Sequence, residues 1–176
     1  APETQIFVTF QWDDLNNMFP QPEEGNRQKF KTNWEQVEAF EPNLDVWAIS
    51  TYPYFVFPSA SDIPADYYSP LLARTDKPIA IAESGFTTRD VGLVKAAPED
   101  QAIYLNAVHD QLGSRLVFWV NLLLTDFNLD SYSEYMLANG QSAENVATLS
   151  NFAFTGLLNF DRSPKPALEV WDEMRK

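Results

Sequence analysis

The chain of 176 residues has no cysteine. That excludes disulfides, thiolate zinc centres and cysteine nucleophiles together, and it leaves the redox compartment open. Histidine occurs once, as His109. It lies mid-sequence in a helical stretch with no G-x-S-x-G for it to serve, so it reads as a helix-face residue and not as a triad base. Glycine is scarce, at 6 residues, and no glycine fingerprint follows any strand-like run, which removes dinucleotide-binding and P-loop readings. Positive charge is short as well: 12 basic against 25 acidic residues give a net charge of −13. A nucleic-acid partner needs a basic face, and an anionic membrane surface would repel this chain. No run of about 18 uncharged apolar residues is present to span a bilayer. The sequence begins Ala1-Pro2-Glu3, with neither an initiator Met nor a signal-type apolar region, as expected of a processed chain or of a piece of a longer polypeptide.

What remains is apolar and aromatic. Hydrophobic residues make up 45% and aromatics 14%, enough for one sizeable core, and no internal linker divides residues 1–176. Four β-branched or apolar runs read as strands: Ile6 to Trp12, Asp45 to Thr51, "PIAIAE" from Pro78 to Glu83, and Arg115 to Val120. Helical segments alternate with them. Thr32 with Glu35 forms a capping-box pattern ahead of Trp34, Val37 and Phe40. Pro64 to Ala73 suits a short helix. Pro98 followed by Glu99 and Asp100 opens a longer one that Gly113 closes. Asn121 to about Gln141 reads as a long polar loop. Two further helices are expected, from Ala143 to Phe154 and from Ala167 to the end. A Pro- and Gly-rich loop, "FPQPEEGN", follows the first strand. Four βα units with buried strands define a parallel α/β fold.

Each strand ends in polar or aromatic residues: Gln11-Trp12-Asp13-Asp14, Tyr52-Pro53-Tyr54, Glu83-Ser84, and Trp119 with Asn121. In a (β/α)₈ barrel the carboxyl ends of the strands form the catalytic face. A buried run that ends on Glu83 is costly unless that carboxylate is paired or put to use.

Taken in order, "DVWAISTYPYF", "PIAIAESGF", "RLVFWVNLL" and "GLLNFDRSPKPALEVW" resemble the second half of the (β/α)₈ glycoside hydrolases that cleave β-linked polysaccharides with retention, arabinogalactan endo-galactanases among them. The resemblance implies that the four strands correspond to strands five to eight, so that the chain is a half barrel. It further implies Glu83 as nucleophile and Tyr52 or Tyr54 as the residue that orients it. Trp119 becomes a sugar platform in the same mouth, with Gln11, Trp12 and Asn121 as secondary contacts. In a retaining mechanism the nucleophile traps an oxocarbenium-like centre as a glycosyl ester, and a second carboxyl group acts as acid and base. In this superfamily that second group is a glutamate after asparagine at strand four, and the dipeptide Asn-Glu is absent here. Asp13 and Asp14 are the carboxylates nearest in sequence to that position.

A barrel of this kind takes about 250 residues. A half barrel has two open sheet edges and an uncovered apolar face, which favours completion by another chain, by a lost N-terminal half or by self-association over an unusual standalone fold. The endo-galactanases carry calcium in the loop after strand eight. Asp126, Asn128 and Asp130 offer alternate-spaced oxygens there, though Ser131 and Leu137 break the EF-hand pattern. Lys165 between two prolines reads as a helix-entry device. The rival reading is a non-catalytic carbohydrate-binding or interaction module that lacks the acid.

Overall fold

A computed structural model describes residues 4–16, 32–90 and 94–174. The loop sequence "FPQPEEGN" lies outside the described residues. Strands β1 (Thr9–Gln11), β2 (Trp47–Thr51), β3 (Ile79–Ser84) and β4 (Leu116–Asn121) form one parallel sheet in the order β1-β2-β3-β4. Helices α1 (Trp12–Leu15), α2 (Ser69–Arg74), α3 (Pro98–Leu112), α4 (Leu129–Ala138), α5 (Ala143–Ser150) and α6 (Pro166–Glu173) follow the strands. Short 3-10 turns fill the connections. This is α/β architecture with the sequential strand order of a barrel segment.

Alternation along the strands divides the sheet into two faces. Trp47, Ile49, Ile79 and Ile81 point toward the helices and join Tyr104, Leu105, Val108 and Leu112 of α3 in the main core. The other face carries smaller side chains: Val46, Ala48 and Ala80 form a separate cluster with Ala82 against it. Small inward residues let a parallel sheet curl. The curl brings Phe7, ahead of β1, to within 5.6 Å of Phe118 on β4, ring centre to ring centre. Both rings remain well exposed, as do Ile6, Val117 and Val120.

Helix α3 begins where the sequence places it. Pro98 supplies the first helical residue, and Asp100 accepts from the Ala97 N–H at 2.8 Å. The other oxygen of Asp100 accepts from Ser59 and from the Ala60 N–H, so one carboxylate ties α3 to the β2–α2 connection. The expected capping box at Thr32 does not form. Thr32 donates instead to Asn16 at 2.6 Å, and Trp34–Gln36 is a 3-10 turn with no side-chain cap. The expected loop from Asn121 to Gln141 is likewise corrected. Its middle is helix α4, capped by Asn128, which accepts from the Ser131 N–H at 3.2 Å. No residue of α4 is buried, which is why the stretch carries no helical apolar stripe.

Candidate active site

A β-bulge decides where Glu83 points. Ile81 pairs with Ile49 and Trp119, and Ser84 pairs with Thr51 and Asn121, so β3 fits one residue more than either neighbour into this interval. An inserted residue re-aims the side chains that follow it. Here it places Glu83 opposite Ser50, on the Ala48–Ala80 face and away from the helices. Ser84, one step on, turns back to the helix side and accepts from the Trp119 indole N–H at 2.7 Å.

Glu83 thereby opens into a cavity of about 430 Å³ at the carboxyl ends of the strands, lined also by Gln11, Asp14, Ser50, Tyr52, Phe55, Thr148, Asn151 and Phe152. The aromatic wall is built edge to face: Tyr52 and Phe152 lie 5.0 Å apart, and Phe55 and Phe152 lie 5.8 Å apart. Thr148, Asn151 and Phe152 come from the end of α5. The Tyr54 hydroxyl holds that wall to β2 by donating to the Asn151 carbonyl at 3.1 Å.

The Tyr52 ring is buried, and among the described residues no group meets its hydroxyl with hydrogen-bond geometry. Glu83 is close enough to act on it all the same. Burial first, and then the Glu83 carboxylate, push the phenol well above its usual 10.0, so the hydroxyl stays protonated and available as a donor. The Tyr54 phenol is raised too, by burial and then by the charge of Asp13.

Behind Tyr52 lies Asp13, fully buried. Its Oδ2 accepts from the Tyr52 backbone N–H at 2.8 Å and from Gln11 Nε2 at 3.1 Å. Its Oδ1 accepts from the Tyr67 hydroxyl at 2.5 Å. Burial raises the Asp13 carboxyl above its usual 3.8, against the pull of those donors.

Of the sequence-predicted site residues, Glu83, Tyr52 and Gln11 meet in the cavity. The others do not. The shared mouth expected for Glu83 and Trp119 is not formed: the indole lies on the helix-facing side, 5.0 Å from Trp171 of α6 and edge-on to it. Tyr54 and Trp12 are completely buried, the latter stacked on Tyr68. Asn121 faces the loop that follows it and donates to the carbonyls of Leu123 and Thr155. Ser50, Thr148, Asn151 and Phe152 were not foreseen as site residues. Ser50 sits on the same sheet face as Ala48, a parity that β2 does carry in its sequence. The α5 residues have no such signal, because a distant loop delivers them.

At the expected calcium loop, Asp126 Oδ1 receives the Lys165 ammonium at 2.7 Å and the Gly156 N–H at 2.9 Å. Lys165 also donates to Thr88 and to the Phe154 carbonyl, so it is more than a helix-entry device. Asn128 and Asp130 belong to the cap and first turn of α4. Among the described residues no group of three or more His, Asp or Glu side chains is placed to hold a metal ion.

The fold is that of a partial (β/α)₈ barrel: four parallel strands in sequential order with helices between them. The chain is similar to the β-glucuronidase of Ruminococcus gnavus solved with D-glucuronic acid, at 16% identity and a TM-score of 0.54, over 97% of this chain and 26% of that one. It is similar also to the GH53 catalytic domain of Ignisphaera aggregans, at 16% identity and a TM-score of 0.52, over 97% of this chain and 47% of that one. The chain thus spans between a quarter and a half of those solved chains. No family model and no curated protein sequence matches it.

Proposed function

We propose that this chain is the nucleophile-bearing half of a retaining glycoside hydrolase acting on a β-linked glycan, completed by a second (βα)₄ unit. The observation that carries the reading is the bulge-directed entry of Glu83 into an aromatic-walled cavity beside an unpartnered, protonated tyrosine hydroxyl. Glu83 attacks the anomeric carbon, the sugar–oxygen bond to the leaving group breaks, and a glycosyl ester forms. Tyr52 donates toward the carboxylate and keeps it aimed. Gln11 and Ser50 offer hydrogen bonds to sugar hydroxyls, and Phe55 and Phe152 offer apolar faces to sugar C–H groups. Asp14 is a second carboxylate on the rim, and the acid/base role belongs either to it or to the completing unit.

Activated 2-deoxy-2-fluoroglycosides test the nucleophile apart from the acid, because their leaving group departs without protonation. Incubation followed by peptide mass spectrometry is expected to find the fluorosugar on Glu83, and none on the Glu83→Gln variant. Saturable binding without an ester favours the carbohydrate-binding alternative, to which the missing Asn-Glu lends weight. Neither ester nor binding removes both readings.

A further inference from the structure

One carboxylate connects two of the three predicted residues that reach the cavity. We propose that Asp13 is a positioning residue, which grips Gln11 and the backbone of Tyr52 together and so fixes both side chains against Glu83. The inference rests on the assignment of Glu83 as the group that Tyr52 serves.

The geometry is specific to a carboxylate. Oδ2 takes two donors, Gln11 Nε2 and the Tyr52 N–H, from the ends of neighbouring strands β1 and β2. Oδ1 is fixed from the opposite side by the Tyr67 hydroxyl, with Thr51 Oγ1 at the limit of contact, 3.5 Å away. Gln11 is held a second time, because its Oε1 accepts the Asp13 N–H at 2.6 Å and the Asp14 N–H at 3.2 Å. An asparagine could supply an acceptor at only one of the two oxygens. The other would become an NH₂ group, which either opposes the Tyr52 N–H and the Gln11 amide or obliges the Tyr67 hydroxyl to accept where it now donates. Among the described residues no cation forms a salt bridge with Asp13. A buried carboxylate of this kind is expensive wherever it serves packing alone. Its position explains its presence: the backbone that Asp13 holds is the backbone that aims the Tyr52 phenol.

Coupling between Asp13 and Glu83, read at Tyr52, distinguishes positioning from simple support. With 3-fluorotyrosine at position 52 of the full chain, Glu83→Gln is expected to move the ¹⁹F resonance, because the phenol lies beside that carboxylate. In an Asp13→Asn background the same Glu83→Gln change is expected to move it little or not at all. Should Asp13→Asn fail to fold, Tyr67→Phe keeps the carboxylate, removes one anchor and is expected to weaken the response in part. A full Glu83→Gln response in a folded Asp13→Asn or Tyr67→Phe protein overturns the proposal. So does the absence of any response in the otherwise unaltered chain. Fluoroglycoside labelling supplies the second readout. Asp13→Asn is expected to slow ester formation by up to ~100-fold, the scale of a misplaced reacting group, with a smaller effect on half-saturation. Asp13→Asn with Tyr52→Phe should be no slower than Tyr52→Phe alone, and additive losses count against the proposal. A chain that shows the ¹⁹F coupling but forms no ester on Glu83 defeats the proposed function and leaves the positioning intact.

Discussion

Asp13 also makes the acid stability of the fold a residue-scale property. Its carboxyl titrates above the usual 3.8 in the folded chain, with burial as the cause. Just above 3.8, the native state therefore keeps a proton that the unfolded chain has released. The contribution of this group to stability is fully present below that point and declines as pH rises through the raised native value. Denaturant unfolding followed upward from about pH 3 is expected to show the advantage of the native chain over Asp13→Asn shrinking as pH rises above 3.8. A difference that grows with pH would contradict the assignment. At neutral pH, Asp13→Asn is expected to cost about 1–3 kcal/mol, because it leaves a buried donor unmatched. Gly156 gives a second single-residue expectation. A Cβ there would lie 2.5 Å from the Asp126 nitrogen and 2.7 Å from the Thr125 carbonyl carbon, both of them backbone. Gly156→Ala is therefore expected to destabilise by about 1–3 kcal/mol in thermal or denaturant unfolding.

Among the elements, α6 is fastened by a charge as well as by packing. Lys165 precedes its first turn and reaches Asp126, Thr88 and the Phe154 carbonyl, so it joins α6 to the segments that follow β3 and β4. Both partners of the ion pair are almost wholly buried, and burial raises the Asp126 carboxyl while lowering the Lys165 ammonium. Each shift reflects the cost of charge in a dry site, so the pair gains less than its 2.7 Å separation suggests. Lys165→Met alone is expected to cost about 3–5 kcal/mol by stranding Asp126, whereas joining it to Asp126→Leu should recover most of that loss in urea unfolding. The sequence made some elements plain and hid others for reasons seen at this scale. Pro98, Asp100 and Gly113 announce α3, since the chemistry of its ends and its buried face agree. Helix α4 buries nothing, so only its Asn128 cap could have revealed it. The acid at the end of β3 was legible from its cost. Its partners were not, because the extra residue in β3 alters face parity against β4 and a bulge leaves no mark in an unbroken apolar run. Strand β4 has an irregularity of its own between Leu116 and Phe118, so two register shifts set the faces taken by Glu83 and by the Trp119 indole, and a pattern read along one strand registers neither.

At the scale of the whole molecule, the sheet has, among the described residues, two unpaired edges, β1 and β4, and an inner face on which Phe7, Phe118 and Val120 remain exposed. In a closed barrel those inward side chains would be covered by layers from the opposite strands. A free parallel edge beside apolar residues invites another sheet. A second (βα)₄ unit fits both features, consistent with the chain spanning 47% of the Ignisphaera aggregans GH53 catalytic domain. Charge then decides how readily a second copy could be that unit. Each chain carries −13, so pairing like with like doubles a strong negative charge across one interface. Screening falls from a reach of about 30 Å at 0.01 M salt to about 3 Å at 1 M, so self-pairing should be suppressed at low salt and strengthen as salt rises. Sedimentation equilibrium is expected to show a monomer that binds an apolar dye at low salt and a concentration-dependent dimer with less dye bound at high salt. Phe118→Lys with Val120→Lys, placed on the inner face, should abolish the dimer without lowering the helical signal in circular dichroism. A monomer at every salt concentration that also leaves the dye unbound would mean that the inner face is closed by the chain itself, and the case for a completing half would then fail.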